Sequence, residues 1–135
     1  MAFAQKYYEY DLRQYLRVKR DHRQLPLIFT CIAKGIEELH THGIVHRDLK
    51  PDNIVISLKP PKVKIIDFDR SVNLGVETKG NFVGTDGYYP FKPNLDDGSS
   101  KWDIWALGAM ILEADLDKVS QSIMKEVPRT FASSI

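Results

Sequence analysis

The feature that most limits the fold is the run His46-Arg47-Asp48-Leu49-Lys50-Pro51-Asp52-Asn53, set immediately before a pair of strand-like segments. These are the β-rich runs Asn53-Ile54-Val55-Ile56-Ser57 and Val63-Lys64-Ile65-Ile66. Pro60-Pro61 separates them and is assigned to the connection, which is the pattern of a β-hairpin. A hairpin brings the end of its second strand back beside the start of its first. Asp67 is therefore expected next to the loop that carries Asp48, with Asn53 opening the first strand and pointing back into that loop.

Helices are expected on either side. From Leu25 onward, Ile28, Phe29, Ile32, Ala33, Ile36 and Leu39 recur at three- and four-residue spacing, with Pro26 in the first turn and Gly43 at the end. Asp11 to Lys19 predicts a shorter helix with Leu12, Tyr15 and Leu16 on one face, and Ile44-Val45 a short extended piece. Trp102, Ile104, Trp105, Leu107, Gly108, Ile111 and Leu112 leave almost no polar face, so they predict a second buried helix. The tail from Leu116 predicts one more, on Val119, Ile123 and Val127, ending before Pro128. Residues 70–97 are rich in Gly, Asn, Asp and Pro without periodicity, and so long an irregular stretch is usually functional or mobile.

Composition narrows the partners. The 135 residues are 43% hydrophobic and 27% charged, enough for one globular domain with a core. A net charge of +1 gives no electrostatic ground for nucleic acid or membrane as a partner, and no run is long enough to span a bilayer. The cluster Arg17, Lys19, Arg20 and Arg23 reads as a solvated loop, with a dock for an acidic partner as the alternative. Cys31 stands alone in an apolar helical pattern and reads as a core thiol. The N-terminus lacks the basic segment and apolar run of a signal peptide, so an intracellular location, cytoplasmic or nuclear, is expected.

The chemistry lies in the loop. Asp48 can orient a hydroxyl and accept its proton, and Lys50 can set an ammonium against developing negative charge. Asn53 and Asp67 offer oxygen ligands to a divalent cation. An acid, a cation and a metal pair in this order fit phosphoryl transfer.

The octapeptide resembles the catalytic loop of eukaryotic protein kinases, H-R-D-L-x-x-x-N. Asp67-Phe68-Asp69 resembles that family's Asp-Phe-Gly, Gly84-Thr85 its docking-loop pair, and Asp103-Ile104-Trp105-Ala106-Leu107-Gly108 its D-x-W-x-x-G helix. The resemblance runs from about Asp11 to Glu113. It implies an α+β, mainly α-helical fold: a kinase-like C-terminal lobe with a small β-hairpin next to the catalytic loop. Residues 1–135 would then form a partial kinase domain starting near the hinge at Met1-Ala2-Phe3-Ala4, with 70–97 as activation segment. Asp-Leu-Lys-Pro-x-Asn is similar to serine/threonine rather than tyrosine kinases. The implied reaction moves the γ-phosphoryl group of ATP to a protein Ser or Thr hydroxyl, with Asp48 as base and Mg²⁺ on Asn53 and Asp67. By the same resemblance Val55 lies beneath the adenine, and His46 packs inside in an apolar stack with Phe68. Arg47 receives a phosphorylated residue, Thr85 bridges Asp48 and Lys50, and Asp103 holds the loop backbone. The usual phosphosite position is Asn81 here, and Thr78 is the nearest hydroxyl.

The departures carry as much weight. No Gly-x-Gly-x-x-Gly, Val-Ala-x-Lys strand or partner-helix glutamate occurs, so the groups that grip ATP from the other side are missing from this sequence. Asp69 replaces a glycine, which disfavours a backbone flip there. Pro90-Phe91-Lys92 stands where Ala-Pro-Glu is expected, so the family's glutamate and its arginine partner are absent together. The expectation is a fragment that binds ATP poorly and has little or no activity alone. A pseudokinase module, binding a separate partner through the apolar face of the missing lobe, is the alternative. Retention of Asp48, Lys50, Asn53 and Asp67 speaks against it. A small-molecule phosphotransferase is disfavoured by Lys50, Gly84-Thr85 and the Trp105 helix.

Overall fold

A computed structural model describes residues 8–18, 23–77, 85, 87–89 and 96–126, with 116–126 described as backbone helix. The expectations for Met1 to Ala4, Thr78, Asn81, Gly84, residues 90–92, Val127 and Pro128 lie outside the described residues.

The first helix, α1 (Leu12–Val18), starts where its end is capped. The Gln14 amide donates to Asp11 Oδ1 at 2.7 Å and the Asp11 amide donates to Gln14 Oε1 at 3.0 Å. This reciprocal capping box satisfies two donors that a helix N-terminus otherwise leaves open. Helix α2 (Leu25–Thr41) buries Leu25, Ile28, Ile32 and Ile36 along one stripe. It stops at Gly43, whose φ of 78° places it in the left-handed region where glycine carries no Cβ penalty.

The expected hairpin is present, shifted slightly from its sequence boundaries. Strand β1 (Tyr10–Asp11), β3 (Ile54–Leu58) and β4 (Pro61–Ile65) form an antiparallel sheet in the order β1-β3-β4. Ile54 pairs with Ile65 and Leu58 with Pro61, so Pro61 opens the edge strand rather than lying in the connection. A proline there forfeits no ladder bond. Asn53 does not open β3: it closes a 3₁₀ turn, Pro51–Asn53, in which its amide donates to the Lys50 carbonyl at 2.9 Å. A second, two-stranded sheet joins β2 (Ile44–Val45) to β5 (Val72–Asn73). β5 lies inside the stretch read as irregular, because two residues are too few to express a period.

Leu12, Tyr15, Ile28, Ile32, Ile36, Leu49, Ile54, Ile56 and Met110 form a fully buried core between α1, α2, β3 and helix α3 (Lys101–Glu126). Each large aliphatic chain so buried is worth about 1.5–3 kcal/mol. Two helical expectations need correction here. α3 runs unbroken through Leu116, so the tail continues it instead of forming a separate helix. Nor is α3 buried all round. Trp102, Asp103, Ala106, Met110 and Ala114 face inward, while Ile104 and Leu112 are 53% and 60% exposed and Trp105 and Ile111 nearly as much.

Gly98 is buried and stitches the start of α3 to the β5 turn: its amide donates to the Val76 carbonyl at 3.0 Å, and its carbonyl accepts from Gly75 at 2.9 Å. A Cβ on Gly98 would lie 2.3 Å from Val76 N and 2.4 Å from Asn73 O, and backbone cannot swing aside. Gly98→Ala is expected to lower stability by about 2–3 kcal/mol, the scale of a strained core insertion. An unfolding midpoint in urea unchanged from the parent would contradict this.

Candidate active site

The site is built outward from Asp103, a fully buried carboxylate in the first turn of α3. Its Oδ2 accepts from the His46 amide at 2.9 Å and from His40 Nε2 at 2.8 Å, and its Oδ1 accepts from the Arg47 amide at 2.9 Å. That grip holds Arg47 at a φ of 70°, a left-handed conformation costing on the order of 1–3 kcal/mol for a non-glycine residue. The Arg47 side chain adds to the hold: Nε donates to the Arg70 carbonyl at 2.9 Å and a terminal nitrogen to Asp97 Oδ1 at 3.4 Å.

His46 is fully buried. The Asp48 amide donates to its Nδ1 at 3.1 Å, and its Nε2 faces the Ile66 carbonyl at 2.9 Å. A donor on one side and an acceptor on the other assign the proton to Nε2 and leave a neutral ring. That ring meets Phe68 at 5.0 Å between centroids, tilted by 59°. Phe68 is not enclosed in the stack: it is 40% exposed and walls a groove of about 660 Å³ that also touches Leu39, Ile44 and Val63.

The loop bend delivers Asp48, 8% exposed, to a cluster of polar groups. The Thr85 hydroxyl donates to Asp48 Oδ1 at 2.9 Å and accepts from Lys50 Nζ at 2.9 Å. Lys50 Nζ lies 4.0 Å from Asp48 Oδ2, and Arg70 Nε lies 3.6 Å from that same oxygen. One hydroxyl, with one proton to give and lone pairs to receive, thus spaces an acid from an ammonium.

Asn53 is 5% exposed, and its Nδ2 donates to the Asp48 carbonyl at 2.8 Å. This bond fixes the amide and leaves Oδ1 with no hydrogen bond among the described residues. The Ile66 amide donates to the Asn53 carbonyl at 2.9 Å, which brings the end of β4, and Asp67 after it, alongside. Asp67 is exposed, has a φ of 64°, and among the described residues receives only a long contact from the Asp69 amide, 3.4 Å. Val55 sits in the middle strand, buried, opposite Asp11 and Lys64.

One hub escaped the sequence reading. Arg13, on α1, donates to Asp52 Oδ1 at 2.7 Å, to Glu113 Oε1 at 3.0 Å and to the Tyr88 hydroxyl at 3.0 Å. Tyr88 in turn donates to Glu113 Oε2. Four separate segments meet there, including the loop and the residues just after Thr85. Burial works against the Arg13 charge, but the hydrogen bonds with Tyr88 and Asp52 outweigh it and hold the guanidinium above its ordinary value. Burial also pushes the Tyr88 phenol up from its ordinary 10.0, the Glu113 bond adds to this, and Arg13 partly offsets it. A phenol that keeps its proton more tightly when folded stabilises the fold fully below about pH 10 and progressively less as pH rises beyond. In urea titrations the chain is expected to lose stability above pH 10 more steeply than Tyr88→Phe. Parallel curves would contradict this.

Comparison with known proteins agrees with the geometry. Residues 1–126 match the model of the protein kinase domain. The chain belongs to the protein kinase family. It is 37% identical over 98 residues to the MAP kinase kinase skh1/pek1 of Schizosaccharomyces pombe, covering 71% of this chain and 26% of that protein. It is 35% identical over 107 residues to the serine/threonine-protein kinase PSK2 of Saccharomyces cerevisiae, covering 75% and 9%. Among solved structures, the yeast RNA Pol II CTD kinase CTDK-1 complex contains a chain similar at a TM-score of 0.70 and 28% identity, covering 82% of this chain and 38% of that one. The fold is thus that of a kinase C-terminal lobe. The chain spans about a quarter or less of the length of these curated relatives.

Protein kinases use ATP and Mg²⁺, and the residues here fit that ion. Asn53 presents a buried oxygen, unpartnered among the described residues, and the exposed Asp67 follows the Ile66 amide that bonds the Asn53 carbonyl. Among the described residues no group of three or more His, Cys, Asp or Glu could hold a metal by itself. Two protein oxygens completed by phosphates and water is the usual arrangement for Mg²⁺.

Proposed function

We propose that this chain is the catalytic lobe of a serine/threonine protein kinase. The observation carrying the proposal is the Asp48–Thr85–Lys50 arrangement, in which one threonine hydroxyl lies 2.9 Å from both an acid and an ammonium. Asp48 Oδ1 is occupied by Thr85, so Oδ2 is the oxygen left to receive the proton of an acceptor serine or threonine. That acceptor oxygen forms the new bond to the γ-phosphorus of ATP as the bond to the β,γ-bridging oxygen breaks, and ADP leaves. Lys50 balances charge on the moving phosphoryl group. Asn53 and Asp67 would hold Mg²⁺, and Val55 would floor the adenine.

Phospho-dependence is not part of this reading, since Asp97 already pairs with Arg47. The natural acceptor is a protein, the setting intracellular, and the phosphate-gripping lobe comes from adjoining sequence or from a separate partner seated on the Phe68 groove. Alone, the chain should bind ATP weakly and transfer little phosphate, because among the described residues no element closes over the nucleotide.

Titration calorimetry with ATP, with and without Mg²⁺, tests the reading. Weak, Mg²⁺-dependent binding is expected, and Asp67→Ala should reduce it by about tenfold or more, the scale seen even for groups that only support a metal's ligands. Absence of binding would exclude catalysis by this chain alone. Binding indifferent to Mg²⁺ and to Asp67 would leave the partner-binding pseudokinase as the better description.

A further inference from the structure

Arg70 is the group at this site whose purpose the transfer reaction leaves open. Its backbone is fixed: the carbonyl accepts from Arg47 Nε at 2.9 Å, and the next residue, Ser71, donates from both its amide and its hydroxyl to the Phe68 carbonyl, at 3.0 and 2.8 Å. The side chain is 45% exposed. Nε stands 3.6 Å from Asp48 Oδ2, the one oxygen of that carboxylate that receives no hydrogen bond among the described residues. The two terminal nitrogens make no hydrogen bond or ion pair among the described residues.

This placement has two consequences. In the resting chain the guanidinium sits against the oxygen that an acceptor hydroxyl must reach. At the same time it presents a planar fork of N–H donors to solvent within a few ångströms of that oxygen, a shape that suits carboxylate or phosphate. An anionic group on the acceptor, beside its hydroxyl, would draw the fork to itself and uncover Oδ2. A neutral or basic neighbour would leave Arg70 on Asp48.

We propose that Arg70 is a substrate-positioning residue that selects acceptors carrying a carboxylate or phosphate next to the hydroxyl to be modified. The inference rests on the kinase reading for the identity of the acceptor, but its recognition step can be measured without transfer.

Fluorescence anisotropy on the 135-residue chain would use labelled peptides with the same acceptor serine flanked by aspartate, phosphoserine, alanine or lysine. The aspartate and phosphoserine peptides are expected to bind about fivefold tighter than the alanine peptide, the upper range for one partly exposed charge pair. A larger gain for phosphoserine would assign phosphate as the preferred anion. Arg70→Gln should bring both to the alanine value, Arg70→Lys should keep part of the preference, and Arg70→Glu should transfer it to the lysine peptide. A purely structural role for Arg70 would not reverse with charge. Equal binding of all four peptides by the unaltered chain, or a preference that survives Arg70→Gln, overturns the proposal. Discrimination by a chain whose ATP binding is indifferent to Mg²⁺ and to Asp67→Ala would count against the kinase reading and for Arg70. Transfer without discrimination would do the opposite.

Discussion

Asp103→Ala is expected to leave most of the chain unfolded. The carboxylate is fully buried and accepts from two backbone amides and an imidazole N–H, at 2.8 to 2.9 Å. Alanine removes both acceptor oxygens, and with them all three hydrogen bonds, while the His46 and Arg47 amides stay buried. Breaking one side of a buried charged cluster costs about 3–5 kcal/mol. A domain of this kind has about 5–15 kcal/mol in total, and one with an exposed apolar helix face belongs at the lower end. Nor can the loop relax without loss, because the left-handed backbone at Arg47 is held by this grip. Circular dichroism during urea titration should show the midpoint falling steeply or the transition vanishing. Asp103→Asn should be milder but still harmful, since its NH₂ would confront a backbone N–H with no acceptor between them. A midpoint for Asp103→Ala within error of the parent would refute the assignment of this carboxylate as the fastener of the loop.

How much of the molecule was legible in its sequence depends on how local each signal is. The α2 stripe repeats over four turns, and the hairpin needs only two β-rich runs and a break, so both could be read directly. The polar grouping around Asp48 was reachable because its motif is contiguous, with Thr85 supplied by resemblance. Arg13 was not reachable: its partners Asp52, Tyr88 and Glu113 lie far along the chain, and nothing in its neighbourhood marks it as their meeting point. The same holds for Arg70 and Asp97. Two features had a local signal that pattern reading passed over. Asp11-x-x-Gln14 is a capping signature, and no Gly or Pro interrupts the chain from Ala109 to Glu126, so an unbroken α3 was implied. The exposed side of α3 is a different kind of error. Apolar residues record which surface favours burial, whereas exposure depends on which other elements reach it.

Asp48→Asn should separate chemistry from structure at the site. Asparagine retains an oxygen for the Thr85 hydroxyl and nearly the same volume, so the fold and Mg²⁺-dependent ATP binding should survive. The ability to take a proton is lost, and a positioned general base is worth about 10²–10⁴ in rate. In the longest natural polypeptide that carries this chain, phosphate transfer to a peptide serine should drop by that factor with the KM for ATP within about twofold, since neither Asn53 nor Asp67 is touched. Loss of the negative charge also frees Arg70, whose Nε has Asp48 Oδ2, at 3.6 Å, as its only anionic neighbour among the described residues. The same variant should therefore bind an aspartate-flanked peptide more tightly than the parent does while scarcely modifying it. A rate within tenfold of the parent would remove Asp48 from the chemistry, and weaker binding of the acidic peptide would remove Arg70 from its recognition. The two measurements can fail independently because the carboxylate is asked to do two things, accept a proton from the substrate and compete with it for a guanidinium.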